Sequence, residues 1–343
     1  MKVGIIGATG YAGVELIRIL LNHKYVKLNK LSSVSFEGKT ISEVYPSLSE
    51  ICEDTLCDQD ETINSCDVVF ASLPAGLSEE IARKCFNQGK ILIDLGADFR
   101  LYNEDDYKNW YGKEYGDKEL HQNAIYALPE LYRDQIKGKK IIGNPGCYPT
   151  SIALGAAPIL KSKLADLSGI IIDSKSGTTG AGRGLSQTTH FPDCNEAFSA
   201  YKIASHRHTP EIEQTLSSVA GQKLYVTFVP HLLPVNRGIL STIYIKLSSE
   251  SSAKKLTELY KDFYKNEKFV RVHDVGVGVN IKDVRYSNYC DISVNYDART
   301  NTAVIVSVID NMVKGAAGQA VQNMNIVCGF DEAEGLGMIP PAI

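Results

Sequence analysis

The sequence predicts an α/β plus α+β chain of two parts: a Rossmann-type doubly wound parallel sheet, then an α+β domain built on a mostly antiparallel sheet. Three observations predict it. A strand, a glycine turn and a helix open the chain, Val3–Ile6, Gly7-Ala8-Thr9-Gly10-Tyr11-Ala12-Gly13 and Val14–Leu21. Short apolar runs then alternate with helical stretches as far as residue 146, the rhythm of a parallel sheet covered on both faces. Beyond residue 169 strands come in runs with few helices between them, which suits an antiparallel sheet covered on one face. The expected domains are 1–146, rejoined by 311–343, and 147–310.

A chain of 343 residues has room for about two such cores. Its net charge of −4 and apolar share of 44% describe an ordinary globular protein, with no basic run that would suit nucleic acid. The apolar start is too short for a signal peptide and no later run approaches the ~20 residues of a membrane span. A cytoplasmic location is expected. The eight cysteines contain no Cys-x-x-Cys pair, so neither a metal site nor a disulfide framework is expected.

The first glycine turn has the spacing Gly-x-x-Gly-x-x-Gly, a variant of the dinucleotide fingerprint. Gly7 and Gly10 would let the backbone approach a pyrophosphate at the helix N-terminus, and Gly13 would let helix and strand pack closely. The second strand, Val26 to Leu31, ends in Ser32-Ser33 where an NAD site usually has a carboxylate. Hydroxyls without a carboxylate favour a 2′-phosphate, hence NADP. Lys39 adds charge nearby or is an ordinary surface lysine.

Asp67–Leu73 and Lys90–Leu95 read as buried parallel strands around a helix, Leu77–Asn87, with Pro74 at the carboxyl end where such sheets bind ligands. Arg100 follows in Asp98-Phe99-Arg100, placed to hold an anion bidentately or to pair with Asp98 or Asp94. A polar, tyrosine-rich stretch runs from there to about Gly138.

Gly143-Asn144-Pro145-Gly146-Cys147-Tyr148-Pro149-Thr150 lies between a short apolar run and a helical one, so Cys147 falls on a strand-to-helix turn. The unpaired N–H groups and positive end of that helix favour a thiolate, which makes Cys147 the candidate nucleophile. A strand at Gly169–Asp173 leads to a flexible loop, Ser174 to Gly184, whose amides either contact phosphate or nicotinamide or are simply mobile. In Ser205-His206-Arg207-His208-Thr209-Pro210, the Thr-Pro pair signals a helix start. His208 lies nearest its positive end, which keeps the imidazole neutral and able to serve as a base. Only one of the two histidines is expected to reach Cys147. Strands at Tyr225–Val229, Gly238–Lys246, Val270–Val272, Asn288–Val294 and Ala303–Ile309, a helix at Ala253–Tyr264 and a closing helix at Asp310–Asn325 complete the reading. The uncovered face of the second sheet is available for subunit contact, and a homodimer or homotetramer is expected.

A dinucleotide site with an activated cysteine and a histidine suggests thioester chemistry. The glycine loop, Asp98-Phe-Arg100, Gly143–Thr150, Ser176-Gly-x-x-Gly-Ala-Gly-Arg183, His206-Arg-His-x-Pro-Glu211 and the stretch from Asp310 through Lys314 and Gly315 to Gln319 together resemble N-acetyl-γ-glutamyl-phosphate reductases, relatives of aspartate-semialdehyde dehydrogenase. The resemblance runs from residue 1 to the last helix. It implies NADPH-dependent reduction of an N-acetyl-glutamyl 5-phosphate to the semialdehyde in arginine biosynthesis, with Cys147 as nucleophile and His208 or His206 as acid/base. It further implies cofactor contacts at Gly7, Thr9, Gly10, Tyr11, Ala12, Gly13, Ser32, Ser33, Pro74, Ser176, Gly177 and Asn311, and substrate contacts at Arg100, Asn144, Arg183 and Arg237. Three alternatives stay open: an acyl-phosphate reductase of lysine biosynthesis acting on carrier-bound aminoadipyl phosphate, hydride transfer without covalent catalysis, which would make Cys147 dispensable, and a non-enzymatic NADP-binding sensor.

Overall fold

The computed structural model describes residues 1–342, and its contacts divide them into two units. The first is Met1–Pro145 with Ala316–Gly337; the second is Gly146–Gly315 with residues 338–342. The return to the first unit therefore comes at Ala316, five residues later than expected, and the tail beyond Gly337 joins the second unit. The delay has a cause within the second unit. Asp310 is fully buried and its carboxylate accepts the N–H groups of Met312 and Val313, while the Asn311 side-chain oxygen accepts the N–H of Gly238.

The first unit holds seven strands: β1 (Lys2–Ile6), β2 (Lys27–Ser32), β3 (Leu56–Cys57), β4 (Val68–Ala71), β5 (Ile91–Asp94), β6 (Ala124–Tyr126) and β7 (Ile141–Gly143). Their order is β3-β2-β1-β4-β5-β7-β6 and every pairing is parallel. Four consecutive buried residues in β4 and again in β5 explain why these strands read as unbroken apolar runs. The principal helices α1 (Tyr11–Leu20) and α2 (Ser78–Asn87) connect β1 to β2 and β4 to β5. The edge strands β3 and β6 went unread because two or three residues carry no period. The tyrosine-rich stretch also holds α3 (Glu104–Tyr111), capped by Asn103 and closed by Gly112 in the left-handed region.

The second unit has β8 (Ile170–Ser176), β9 (Ser199–Ala200), β10 (Val226–Leu232), β11 (Ile239–Lys246), β12 (Val270–Val272), β13 (Cys290–Asp297) and β14 (Thr302–Ile309), in the order β12-β13-β14-β11-β8-β10-β9. The sheet is mostly antiparallel, as expected, with two parallel pairings, β10 with β8 and β12 with β13. Strand β8 continues through Ser176, where a loop was expected, because β11 pairs with it along that length. Strand β10 continues through Pro230, which has no N–H to give the ladder and stands next to the two-residue edge strand β9.

Helices α4 (Cys147–Lys161) and α6 (Ala253–Phe263) pack on one face of this sheet, with α5 (Thr209–Ala220) against α4. Gly155 of α4 permits the approach, because a Cβ there would lie 2.6 Å from the Ile243 side chain. Along β11 burial alternates strictly, with Tyr244 turned away from the helices and opposite Ile171 of β8 and Val304 of β14. Among the described residues no helix is long and apolar enough to cross a membrane.

The expected closing helix begins later than Asp310. A π-helical turn at Val313–Ala317 precedes the closing helix proper, Gly318–Cys328. That turn lowers Gly315 onto Cys147: a Cβ at residue 315 would stand 2.7 Å from the cysteine Cβ.

Candidate active site

In the first unit the glycine turn has the geometry that its sequence requires. Gly7 has φ +82°, and a Cβ there would lie 2.4 Å from the Ser72 carbonyl oxygen; a Cβ on Gly13 would lie 2.3 Å from the Gly7 carbonyl oxygen. Gly10 is the N-cap of α1 with no side-chain cap, and the first turn holds no acidic residue. The turn thus presents backbone N–H groups at a positive helix end, a cradle suited to a pyrophosphate. Tyr11 and Ala12 form that first turn, and Tyr11 is exposed. The N–H groups of Gly7 and Ala8 bond to the Ser32 carbonyl, and the Thr9 hydroxyl pairs with that of Ser33 at 2.7 Å. No carboxylate stands directly after β2, where the chain reads Ser33-Val34-Ser35-Phe36, so this end of the cradle fits a 2′-phosphate better than a bare ribose diol. A methyl at residue 13 must push the turn apart. Gly13→Ala is expected to weaken NADPH binding about tenfold, the equivalent of modest overpacking strain, read by quenching of the nicotinamide fluorescence.

Pro74 is exposed at the carboxyl end of β4, in a turn fixed from below. Buried Asp98 accepts from the N–H groups of Gly76 (2.6 Å) and Ser78 (2.8 Å) and from the Tyr107 hydroxyl (2.8 Å), and so caps α2 from the loop after β5. Asp94 below it accepts from the Ser78 hydroxyl and Gly96 N–H, and burial, then repulsion from Asp98, pushes its carboxyl up to about 7.

Arg100 and Asn144 were expected at the substrate. The structure buries both and shows them bracing backbone. Arg100 donates from Nε to the Asn144 carbonyl and from Nη2 to the Leu95 carbonyl. The Asn144 amide donates to the Ala316 carbonyl and accepts from Asn323. These bonds hold the Gly143–Pro145 turn that precedes the cysteine.

Cys147 is half-buried and is the first residue of α4, whose N-cap Gly146 offers no side chain and whose first turn holds no acid. The first turn of a helix has no intrahelical acceptors for its N–H groups, and the third residue here is Pro149, which has none to offer. Tyr148, next in line, meets the ring of His206 at 5.5 Å and that of His208 at 6.0 Å, and its hydroxyl lies 3.1 Å from that of Tyr201. Burial pushes the Tyr201 hydroxyl up to about 12 and Tyr148 further, so both stay protonated.

The two histidines differ. His206 is buried and its Nδ1 accepts the N–H of His208 at 3.1 Å, which places the ring proton on Nε2. Burial first, then the charges of Lys202 and Arg207, push His206 down to about 4. His208 is only half-buried and is the N-cap of α5. A group kept neutral by folding stabilises the fold above its unfolded value, near 6.5, and loses that contribution as pH falls towards 4. The advantage of the wild type over His206→Asn in urea unfolding is expected to shrink between pH 7.5 and pH 4.5, by at most on the order of 3 kcal/mol.

Sequence reasoning passed over Glu211, although it stood inside a quoted motif. Its buried carboxylate accepts the N–H of Gly146 at 2.7 Å, a contact 65 residues away that no local pattern announces. Lys202 and Arg207 were passed over too, being charges on an irregular segment.

A second group from the expected residues gathers on the loops after β8 and before β11. The Gly177 N–H bonds to the Gly238 carbonyl, the Ser176 hydroxyl to the Gly177 carbonyl, and the Asn311 amide to the Thr179 hydroxyl. Arg237 is aimed by Asp310 at 3.3 Å and by the Tyr286 ring at 4.5 Å. Arg183 stands on the exposed stretch that follows Gly182. Gly315 joins this group to Cys147 through its contact with the cysteine Cβ.

Two family models match: "semialdehyde dehydrogenase, NAD binding domain" over residues 2–139 and "semialdehyde dehydrogenase, dimerisation domain" over residues 147–311. The chain is 60% identical to N-acetyl-gamma-glutamyl-phosphate reductase of Brachyspira hyodysenteriae over 100% of its own length and 99% of the relative. It is 54% identical to the enzyme of that name from Clostridium beijerinckii, again over 100% and 99%. Among solved structures, aspartate semialdehyde dehydrogenase II of Vibrio cholerae superposes with a TM-score of 0.72 at 17% identity, covering 95% of this chain and 97% of that one. The Candida albicans aspartate semialdehyde dehydrogenase with NADP gives 0.68 at 16%, covering 95% and 97%; at such identities the likeness concerns the fold. With both domains matched and full-length identity of this order, the chain belongs to the semialdehyde dehydrogenase family and, within it, to the N-acetyl-gamma-glutamyl-phosphate reductases.

Proposed function

We propose that the chain reduces N-acetyl-glutamyl 5-phosphate to N-acetyl-glutamate 5-semialdehyde and phosphate with NADPH, a step of arginine biosynthesis, through a thioester on Cys147. The observation that carries it is a half-buried cysteine opening a helix whose N-cap has no side chain and whose next residue, Tyr148, meets the rings of His206 and His208, in a chain 60% identical throughout to a reductase of that name.

Cys147 attacks the acyl carbon and phosphate leaves, giving the thioester. His208 takes the thiol proton as the sulfur attacks, gives it to the oxyanion formed on reduction and takes it back as the aldehyde departs. Bound NADPH supplies the hydride that makes the thioester a thiohemiacetal. Backbone N–H groups of the first turn of α4 hold the oxygen while it is negative. His206, its Nδ1 engaged and its ring neutral, braces the segment that carries His208. The cradle from Gly7 to Gly13, with Thr9, Ser32 and Ser33, holds the cofactor, and Pro74, Ser176, Gly177 and Asn311 shape the rest of its site. Arg183 and Arg237 hold the anionic groups of the substrate, Arg237 being aimed in advance by Asp310. The uncovered face of the second sheet, with Ile171, Tyr244 and Val304 paired across it, is where two copies associate.

The test is the reverse reaction: NADP reduction in the presence of N-acetyl-glutamate semialdehyde, with aspartate semialdehyde alongside. Turnover that needs phosphate and prefers the acetylated aldehyde supports the proposal. NADP binding with neither aldehyde turned over would refute it.

A further inference from the structure

Tyr286 stands between β12 and β13 in a backbone conformation that residues with a side chain rarely adopt, with φ +60°. The Ser287 N–H bonds to the Val284 carbonyl and closes a turn of which Tyr286 is the third residue. A positive φ at that place suits glycine or asparagine, because a Cβ there crowds the following carbonyl oxygen. Among the described residues no other aromatic side chain is carried on such a backbone. Strain of this kind persists where the surroundings hold it. Buried Asp310 accepts the Tyr286 N–H at 2.6 Å, and the same carboxylate oxygen, Oδ2, lies 3.3 Å from Nη1 of Arg237. What the conformation delivers is the ring. Arg237 lies over it, with Cζ 4.5 Å from the ring centroid, so one carboxylate sets both the guanidinium and the ring against its face.

We propose that Tyr286 is a positioning residue for substrate binding: its ring fixes the plane of the Arg237 guanidinium and so sets how tightly an oxyanion, carboxylate or phosphate, is held. This rests on the reading of Arg237 as a substrate contact. A guanidinium presents its N–H groups in its own plane, so a ring against its face restricts its rotation without competing for those groups. An arginine that is already ordered loses less rotamer freedom when the anion arrives. The strained turn is the cost of that ordering. A phenylalanine keeps the ring and the strain. An asparagine or a glycine accepts the backbone conformation and has no ring.

The experiment compares Tyr286→Phe, Tyr286→Asn and Tyr286→Gly in the full-length enzyme, each alone and combined with Arg237→Gln, with thermal melting alongside. KM and kcat are taken in the phosphate-dependent reverse reaction, with aldehyde and phosphate varied in turn. Tyr286→Phe is expected to stay within about twofold of the wild type, since a phenyl face serves a guanidinium nearly as well. Tyr286→Asn and Tyr286→Gly are expected to raise the KM of one of the two anions about fivefold, the size of a half-exposed cation–π contact, with kcat and the KM of NADP unmoved. The anion whose KM moves is the one at Arg237. Neither variant should melt below the wild type, because the turn is relieved. With Arg237→Gln in place, Tyr286→Asn should move neither KM further. The proposal is overturned if both KM values stay put, if Tyr286→Phe loses as much as Tyr286→Asn, if the effect persists without Arg237, or if the melting temperature falls in step with the rise in KM. Were neither aldehyde turned over by the wild type, calorimetric titration with inorganic phosphate and with N-acetyl-glutamate would replace KM. Equal Kd for both anions in the wild type and Tyr286→Asn would then overturn it, so this inference and the proposed reaction fail separately.

Discussion

Replacing Cys147 with alanine is expected to abolish phosphate-dependent NADP reduction, with a fall in kcat of at least about 10⁴-fold, because no other group can carry the acyl intermediate. Binding should survive. The cradle for NADPH lies within the first unit and owes nothing to the sulfur, so fluorescence quenching by the variant should match the wild type. Cys147→Ser is the sharper comparison: an alkoxide is much harder to form than a thiolate, and a helix N-terminus lowers a thiol far more usefully than a hydroxyl. A variant at Cys147 that kept within tenfold of the wild-type kcat would end the covalent mechanism.

The second large effect separates the histidines. His208→Asn is expected to lower kcat by about 10² to 10⁴, the range that a positioned acid/base contributes. His206→Asn should lower it by less than about tenfold, because an asparagine oxygen can still accept the N–H of His208. The pH profiles should divide in the same way. His206 is already neutral throughout the working range and has no inflection to lose. Loss of the acid limb in His208→Asn, with the limb intact in His206→Asn, is the expected pattern; the reverse would exchange the two roles.

What could be read from the sequence was what lies close along the chain. The strand, glycine turn and helix at residues 3–21 is a local pattern, and so is Cys147 between an apolar run and a helix that begins with a proline two positions on. Both turned up where the spacing put them. Long-range acceptors could not be read. Glu211 lay in plain view, but its partner is a backbone N–H on another helix, and Asp98 likewise caps a helix that begins twenty residues before it. Arg100 shows the same limit of local reading. An arginine after a strand suits an anion, and nothing in its neighbourhood reveals that carbonyls at Leu95 and Asn144 take its guanidinium. The histidine pair stayed undivided until the structure supplied the bond from His208 N–H to His206 Nδ1, which depends on how tightly the chain bends into α5.

The closing helix Gly318–Cys328 gives the protein an order of assembly. Its buried amides reach back into the first unit, Asn323 to the Ala127 carbonyl and Asn325 to the ring of His23. The first sheet is therefore synthesised early and sealed last. While the ribosome makes the second unit, whose sheet is complete by Ile309, the nascent first unit waits with an apolar flank and the Ala127 carbonyl still in water. The part that is second in sequence can finish first. A chain that stalls anywhere in the second half leaves the first unit without its last helix.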